Sequence, residues 1–390
     1  MGSKDRGRVA EAVYGVLRKR RLLGAMVGNE HEVESLLAAY LISESGLSGR
    51  AVQRLGNGAN ISALVTKART LEIDSLPFAV RCSLPDWLAA ALVDQFGEAQ
   101  AAALAQALNS AAPVDLRVNT LKTTREALAS ALDAAGFPCE LTPYSPVGLR
   151  RHSRAPLFNT SAFRDGWFEV QDEGSQLVSL LLAPKRRDTV VDFCAGGGGK
   201  TLHLGALMEN TGSLYALDVH QRRLEKLWSR VKRAGLDNVR CLTLKDESDE
   251  EVLRRIGQAQ RVLVDAPCSG TGTLRRNPDI KWRDIDLDKL VQMQGRILRA
   301  ASKLLRPGGR LVYATCSLLR QENEEVVGAF LREHPQFSPV SACGVVSTFA
   351  ADADALCHDG YLRLLPHRHG TDGFFAAIVE RRAASDAAAE

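Results

Sequence analysis

From about residue 175 onward the chain repeats one pattern, a short apolar run followed by a segment with helical spacing. The apolar runs are TVVDF from Thr189, GSLYALD from Gly212, VRCLTL from Val239, RVLVDA from Arg261 and GRLVYAT from Gly309. Helical spacing fills 200–209, 220–234, 248–258 and 287–305 between them. In the last of these, Leu287, Leu290, Ile297, Ala301 and Leu304 recur every three or four residues, and Pro307 and Gly308 are expected to stop the helix. Such alternation predicts an α/β fold with a doubly wound parallel sheet. Ligands of such sheets lie beyond the carboxyl ends of the strands, where the strand order reverses.

The residues at those ends are not neutral. The first strand ends at Asp192 and Cys194, the second at Asp218, the third leads to Asp246, the fourth ends at Asp265 and the fifth at Cys316. Each acid alone could be a helix N-cap; a row of them along one rim points to a ligand site. The stretch DFCAGGGGKT joins the first strand to its helix. It is not a P-loop, because the first glycine of that motif falls on Cys194. It still offers a backbone that lets a ligand come close, and a helix start that favours an anion.

The 390 residues suggest two or three domains, and a formal charge of +4 excludes a chain that is basic throughout. No run of about 18 apolar residues is present, so no membrane span is expected. The N-terminus lacks the apolar core of a signal peptide. Eight scattered cysteines without a C-x-x-C argue against a zinc knuckle and suit a reducing cytoplasm. Residues 1–110 carry Leu, Val and Ala at helical spacing, including one continuous stretch from Pro85 to Leu108. Residues 111–170 read as a small α+β unit whose LRVN and LRRHSR runs either touch RNA or form a solvated face. RLLPHRHGTDGFFAAIVERR is expected to close the sheet edge as an antiparallel hairpin.

Two cysteines stand apart. Cys268 in DAPCSGTGT and Cys316 in ATCS each follow a strand, where the backbone turns out of the sheet. A thiolate is a strong nucleophile, and its pKa falls near cations or helix N-termini. Together, DFCAGGGGKT, ALD, LKD, DAPCSGTGTLRRNPDIKW and YATCSLLRQENEEVV resemble the RsmB/NOP/NSUN family of S-adenosylmethionine-dependent RNA cytosine-C5 methyltransferases. The likeness is closest to its bacterial 16S ribosomal RNA members. WLAAALVDQFG, LRVNTLK, GWFEVQDEGSQLVSLLL and DGFFAA extend it over roughly residues 80–382.

The resemblance implies a class I, Rossmann-like methyltransferase with a mostly parallel seven-stranded sheet over 171–382. It further implies an RRM-like α+β subdomain at 111–170, a NusB-like helical domain at 1–110 and a tail at 383–390. S-adenosylmethionine is the implied cofactor, wrapped by Cys194, Ala195, Gly196, Gly197, Gly198, Gly199 and Lys200. Asp218 would take its ribose and Asp246 its adenine, with Asp265 at the same site. By the same likeness Cys316 attacks cytosine C6, Cys268 assists release, and Asp265 holds the base edge near N3 and N4. Arg275, Arg276, Lys281 and Arg283 would hold RNA phosphates, while Trp282 would stack or merely pack. Ribosomal RNA is the expected partner of a cytoplasmic monomer without metal. Methylation of tRNA or DNA, or a non-catalytic ribosome-assembly role, are the alternatives. One departure stands out: Gly197 occupies the position where the family usually has proline. A looser loop and modestly weaker cofactor affinity are expected from it.

Overall fold

The computed structural model describes residues 2–55, 60–256 and 258–383, so nearly all of the expected tail lies outside the described residues. The chain divides into two compact units, residues 1–111 with 273–285, and residues 112–272 with 286–390.

The first unit is helical. Its main helices are Ser3–Val27, Val33–Ser43, Ile61–Thr70, Asp86–Phe96 and Glu98–Leu108. The stretch expected as one helix from Pro85 is thus two, because Gly97 takes φ +75° between them. Leu22, Leu23, Met26, Leu36, Val52, Ile61 and Leu64 form one core of this unit. Segment 273–285, which the sequence reading leaves with the catalytic domain, is counted here.

The second unit holds two sheets. Strands β1 (Val114–Val118), β2 (Glu140–Leu141), β3 (Gly148–Arg151) and β4 (Phe168–Val170) form an antiparallel sheet in the order β2-β3-β1-β4. Helix Arg125–Ala134 covers it through Leu128 and Leu132, which pack with Leu116, Leu149 and Phe168. The larger sheet contains β5 (Thr189–Asp192), β6 (Ser213–Asp218), β7 (Val239–Thr243), β8 (Ala259–Asp265), β9 (Leu305–Thr315), β10 (Phe337–Val340), β11 (Cys357–His358), β12 (Tyr361–Leu364) and β13 (Phe374–Arg381). Its order is β11-β12-β13-β9-β8-β5-β6-β7, with β10 also paired to β13. The sheet therefore has nine strands and is mixed, where seven mostly parallel strands were expected. Pairings among β5 to β9 are parallel, and those of β10 to β13 are antiparallel.

Two sequence expectations change here. The RPGG run does not end the helix, which stops at Ser302; it lies inside β9, where Gly308 takes φ +73° and the register with β8 shifts. The closing antiparallel pair forms, but β13 sits inside the sheet between β9 and β12, not at its edge. Its apolar residues explain this. Phe374 to Val379 are all buried, as a strand with neighbours on both sides and layers on both faces requires.

Alternation sorts each central strand between two cores. Val190, Leu214, Ala216, Leu263, Val312 and Ala376 join one, whereas Val191, Tyr215, Leu217, Val262, Val264, Tyr313 and Phe375 join the other. Helix Gln221–Ala234 packs on the first core through Leu224, Leu227 and Val231, and ends at Gly235 in a left-handed conformation. Among the described residues, no helix is long and apolar enough to cross a membrane.

Candidate active site

The strand order reverses beside β5, which has β6 on one side and β8 on the other. A cavity of about 820 Å³ opens there. It is lined by Asp192, Cys194 to Gly197, Gly199, Lys200, Asp218, Asp246, Asp265, Cys268 and Cys316, among others. The strand-end acids and both singled-out thiols therefore share one space. Gly198 does not line it. At φ +80° it starts helix Gly199–Leu207, and a Cβ there would sit 2.0 Å from Leu227.

Hydrogen bonds fix each member. Asp218 accepts from the Gly196 and His220 amides at 2.9 and 2.8 Å, which ties the glycine loop to the end of β6. Lys200 donates to Asp265 at 2.7 Å. Burial works to lower the Lys200 pKa, but the Asp265 charge and hydrogen bond outweigh it and hold the ammonium protonated. Asp192 accepts from Thr201 at 2.7 Å through one oxygen, and its other oxygen is buried without a hydrogen-bond partner among the described residues. Burial pushes this carboxyl up to about 7, the Thr201 hydroxyl opposing and the Asp265 charge adding to the shift. Asp246 holds the Ser248 amide and hydroxyl at 2.8 and 2.7 Å; the Val252 amide near the start of the next helix is held by Asp249 instead, at 3.3 Å.

Cys268 and Cys316 stand with their sulfurs 3.5 Å apart. The contact with Cys316 first, and burial second, push the Cys268 thiol well above the ordinary range and keep it protonated. Burial does the same to Cys194, which is no candidate nucleophile.

Sequence reasoning missed the groups behind this wall. Glu322 is fully buried. Its carboxylate accepts from the Ser269 amide at 2.8 Å, the Ser269 hydroxyl at 2.5 Å, Gln294 at 2.9 Å and the Ser317 hydroxyl. Ser269 and Ser317 directly follow the two cysteines, so one carboxylate locks both thiol loops. Two guanidiniums were missed as well. Arg230 donates to the Gly197 carbonyl, and Arg117 of β1 donates to the Gly199 carbonyl and to Gln171. Burial lowers the Arg117 pKa to about 9. Nothing local in the sequence marks these contacts, which join residues 33 to 82 positions apart.

They also change the reading of Gly197. Its φ is not left-handed, unlike those of Gly196 and Gly198, so the backbone does not itself demand glycine there. The loop is braced from outside by Arg230. Arg230→Gln is expected to raise the S-adenosylmethionine Kd about fivefold by calorimetry, from loss of one charge-assisted hydrogen bond. Adding Gly197→Pro is expected to recover roughly a factor of two to five, by removing loop entropy before binding.

The basic residues fare differently from expectation. Lys281 is buried in the helical unit, where its ammonium donates to the Arg18 carbonyl at 2.9 Å, the Ser83 carbonyl at 3.0 Å and Asn109. Burial and then the Arg18 charge lower its pKa to about 7. Arg275 is also buried, and Arg283 pairs with Asp279. Trp282 packs, its indole donating to the Leu17 carbonyl at 2.9 Å. Arg275 and Lys281 are thus structural and do not present charge to a phosphate; Arg276 is half-buried. In the α+β unit Arg117 and Asn119 are buried, and Arg150 is locked on Asp115 and Glu173, so neither a solvated face nor an RNA contact describes them. His152 and Arg154 stay exposed.

The donor set suits a cationic nucleoside ligand. Asp192 keeps a buried oxygen that lacks a donor, Asp218 offers carboxylate lone pairs of the kind ribose hydroxyls use, and Val219, Leu244, Pro267 and Ile297 supply an apolar wall for a base. Fold and cavity together are those of a class I S-adenosylmethionine-dependent methyltransferase. Residues 179–380 match the model of the 16S rRNA methyltransferase RsmB/F family, and residues 84–157 match the ferredoxin-like domain of RsmF/B-like methyltransferases. The chain belongs to this family and is an RNA cytosine-C5 methyltransferase.

It is 35% identical over 306 residues to the probable ribosomal RNA small subunit methyltransferase B of Bacillus subtilis, an alignment covering 78% of this chain and 68% of that one. The Synechocystis protein of the same description is 34% identical over 319 residues, 80% and 70% of the two chains. Among solved structures, that of PH0851 superimposes with a TM-score of 0.80 at 28% identity, covering 97% of this chain and 91% of that one.

Proposed function

We propose that the chain forms 5-methylcytidine in 16S ribosomal RNA through a covalent bond between Cys316 and cytosine C6. The observation that carries this is the thiol pair, two sulfurs 3.5 Å apart at the ends of adjacent strands, in one cavity with Asp265 and Lys200. The Bacillus subtilis and Synechocystis relatives are described as probable ribosomal RNA small subunit methyltransferase B, which supports the substrate. The glycine loop, Asp218 and Asp246 would hold S-adenosylmethionine, which when bound supplies an electrophilic methyl group.

The chain's own residues do the rest. Cytosine C5 is a poor nucleophile until C6 carries an electron-donating substituent. Addition of the Cys316 sulfur at C6 makes C5 enamine-like. Asp265, positioned by Lys200, holds the base edge near N3 and N4 and relays a proton from the Lys200 ammonium to N3, which offsets the charge that addition at C6 puts on the ring. After C5 is methylated, N3 returns its proton through Asp265, solvent water takes the C5 proton, the double bond re-forms and Cys316 departs as a thiolate. Cys268, protonated beside it, donates a hydrogen bond to the leaving sulfur. The target base must be unstacked to reach this depth.

The test uses the purified 390-residue chain, methyl-labelled S-adenosylmethionine and unmodified 16S rRNA, with digestion to nucleosides. Label in 5-methylcytidine at one mapped cytidine is the expected result. Label in tRNA alone would overturn the substrate, and no label in any RNA from a protein that binds the cofactor would favour an assembly role.

A further inference from the structure

With Lys281 and Arg275 internal, a denser set of exposed cations lies on another element. Helix Gln221–Ala234 carries Arg222, Arg223, Lys226, Arg230, Lys232 and Arg233 against a single acid, Glu225. Arg230 and Arg233 are spent on Glu169 of β4. Glu225 is held by the Gln221 amide at 3.0 Å. Among the described residues, Arg222, Arg223, Lys226 and Lys232 form no ion pair, and all four are exposed. Trp228 lies with them, 46% exposed, the Lys232 ammonium 5.6 Å from its ring centroid.

A tryptophan left half in water on an otherwise polar face is not there for the core, which Leu224, Leu227 and Val231 already fill. Cations alternating with an exposed ring are the pattern that holds a single strand, phosphates on the charges and a base on the ring. The helix is also well placed. Residues at its start, His220 and Arg223, line the catalytic cavity. Its other end is clasped to the α+β sheet, where Lys122 donates to the Arg233 carbonyl at 2.7 Å and Asn119 to the Ala234 carbonyl at 2.9 Å. Fourteen residues span about 20 Å, enough for several nucleotides.

We propose that the exposed face of helix Gln221–Ala234 is a docking track for single-stranded RNA flanking the target cytidine, with Trp228 stacking one base. This rests on RNA being the substrate.

The test measures Kd for a 16S rRNA fragment and for an unrelated single-stranded RNA across a salt series. It uses the full chain, the Arg222→Gln/Lys226→Gln double variant and Trp228→Ala. Losing two phosphate contacts should weaken binding roughly tenfold and flatten the log Kd against log salt slope by about 1.5. Trp228→Ala should weaken binding roughly tenfold at every salt and leave the slope alone. Melting temperature and S-adenosylmethionine affinity, both expected to match the parent, show that the variants are folded. Unchanged Kd and slope in both folded variants overturn the track. A parent protein that binds neither RNA overturns the substrate reading instead.

Discussion

Replacing Cys316 with alanine is expected to lower 5-methylcytidine formation by roughly a thousandfold or more, the scale on which enzymes lose activity without their nucleophile. S-adenosylmethionine and RNA affinities should stay close to the parent's, because the side chain is small and anchors no loop. Cys268→Ala should behave differently. Addition at C6 still proceeds, but the departing sulfur loses the protonated thiol 3.5 Å away. An RNA–protein adduct that survives denaturing electrophoresis should therefore accumulate, and the double variant should show none. Full activity of Cys316→Ala would remove the nucleophile assigned here; absence of an adduct with Cys268→Ala would remove the division of labour.

Glu322→Gln should be costly for both stability and turnover. The carboxylate accepts from four groups and donates to none, and it is fully buried. Glutamine turns an NH₂ toward donors, leaving at least one of them without an acceptor. Hydrogen bonds to a buried charge are worth about 1.5–3 kcal/mol each. A loss of about 3 kcal/mol, and a melting temperature lower by roughly 6–12 °C, is expected. Because the serines after both cysteines lose their anchor, kcat should fall at least about tenfold at temperatures where the variant is fully folded, as displaced reacting groups do. The KM for S-adenosylmethionine should move little, since among the described residues the Glu322 carboxylate bonds to Ser269, Gln294 and Ser317 and not to the glycine loop. A variant that melts lower but keeps the parent's kcat would make Glu322 a packing residue only.

Legibility in the sequence followed the range of the interactions. All five strands from Thr189 to Thr315 and the helices between them were readable, because their apolar periodicity is local. The acids and cysteines at strand ends converge because parallel strands align their carboxyl ends, so topology alone brought Asp192, Asp218, Asp265, Cys268 and Cys316 into one cavity. What escaped was set by distant partners. Gly97 breaks a helix whose composition is continuous, and Glu322 looks no different from Glu324 or Glu325 until Ser269 is seen 53 positions upstream. The LRRNPDIKW cations read as a phosphate patch because charge is visible in a sequence, whereas the carbonyl cage around Lys281 is not.

The bracing of the glycine loop bears on how such proteins can be inherited. Gly199 is held by an arginine on β1, and Gly197 by one that β4 keeps in place through Glu169. The small antiparallel sheet is therefore part of the catalytic pocket's frame as well as a neighbour of it. A recombination that exchanged only the segment from β5 onward would separate the loop from the side chain that fixes Gly199. Residues 112–170 and the larger sheet are thus coupled at the glycine loop, and a change in either half of the bracing is felt by the other.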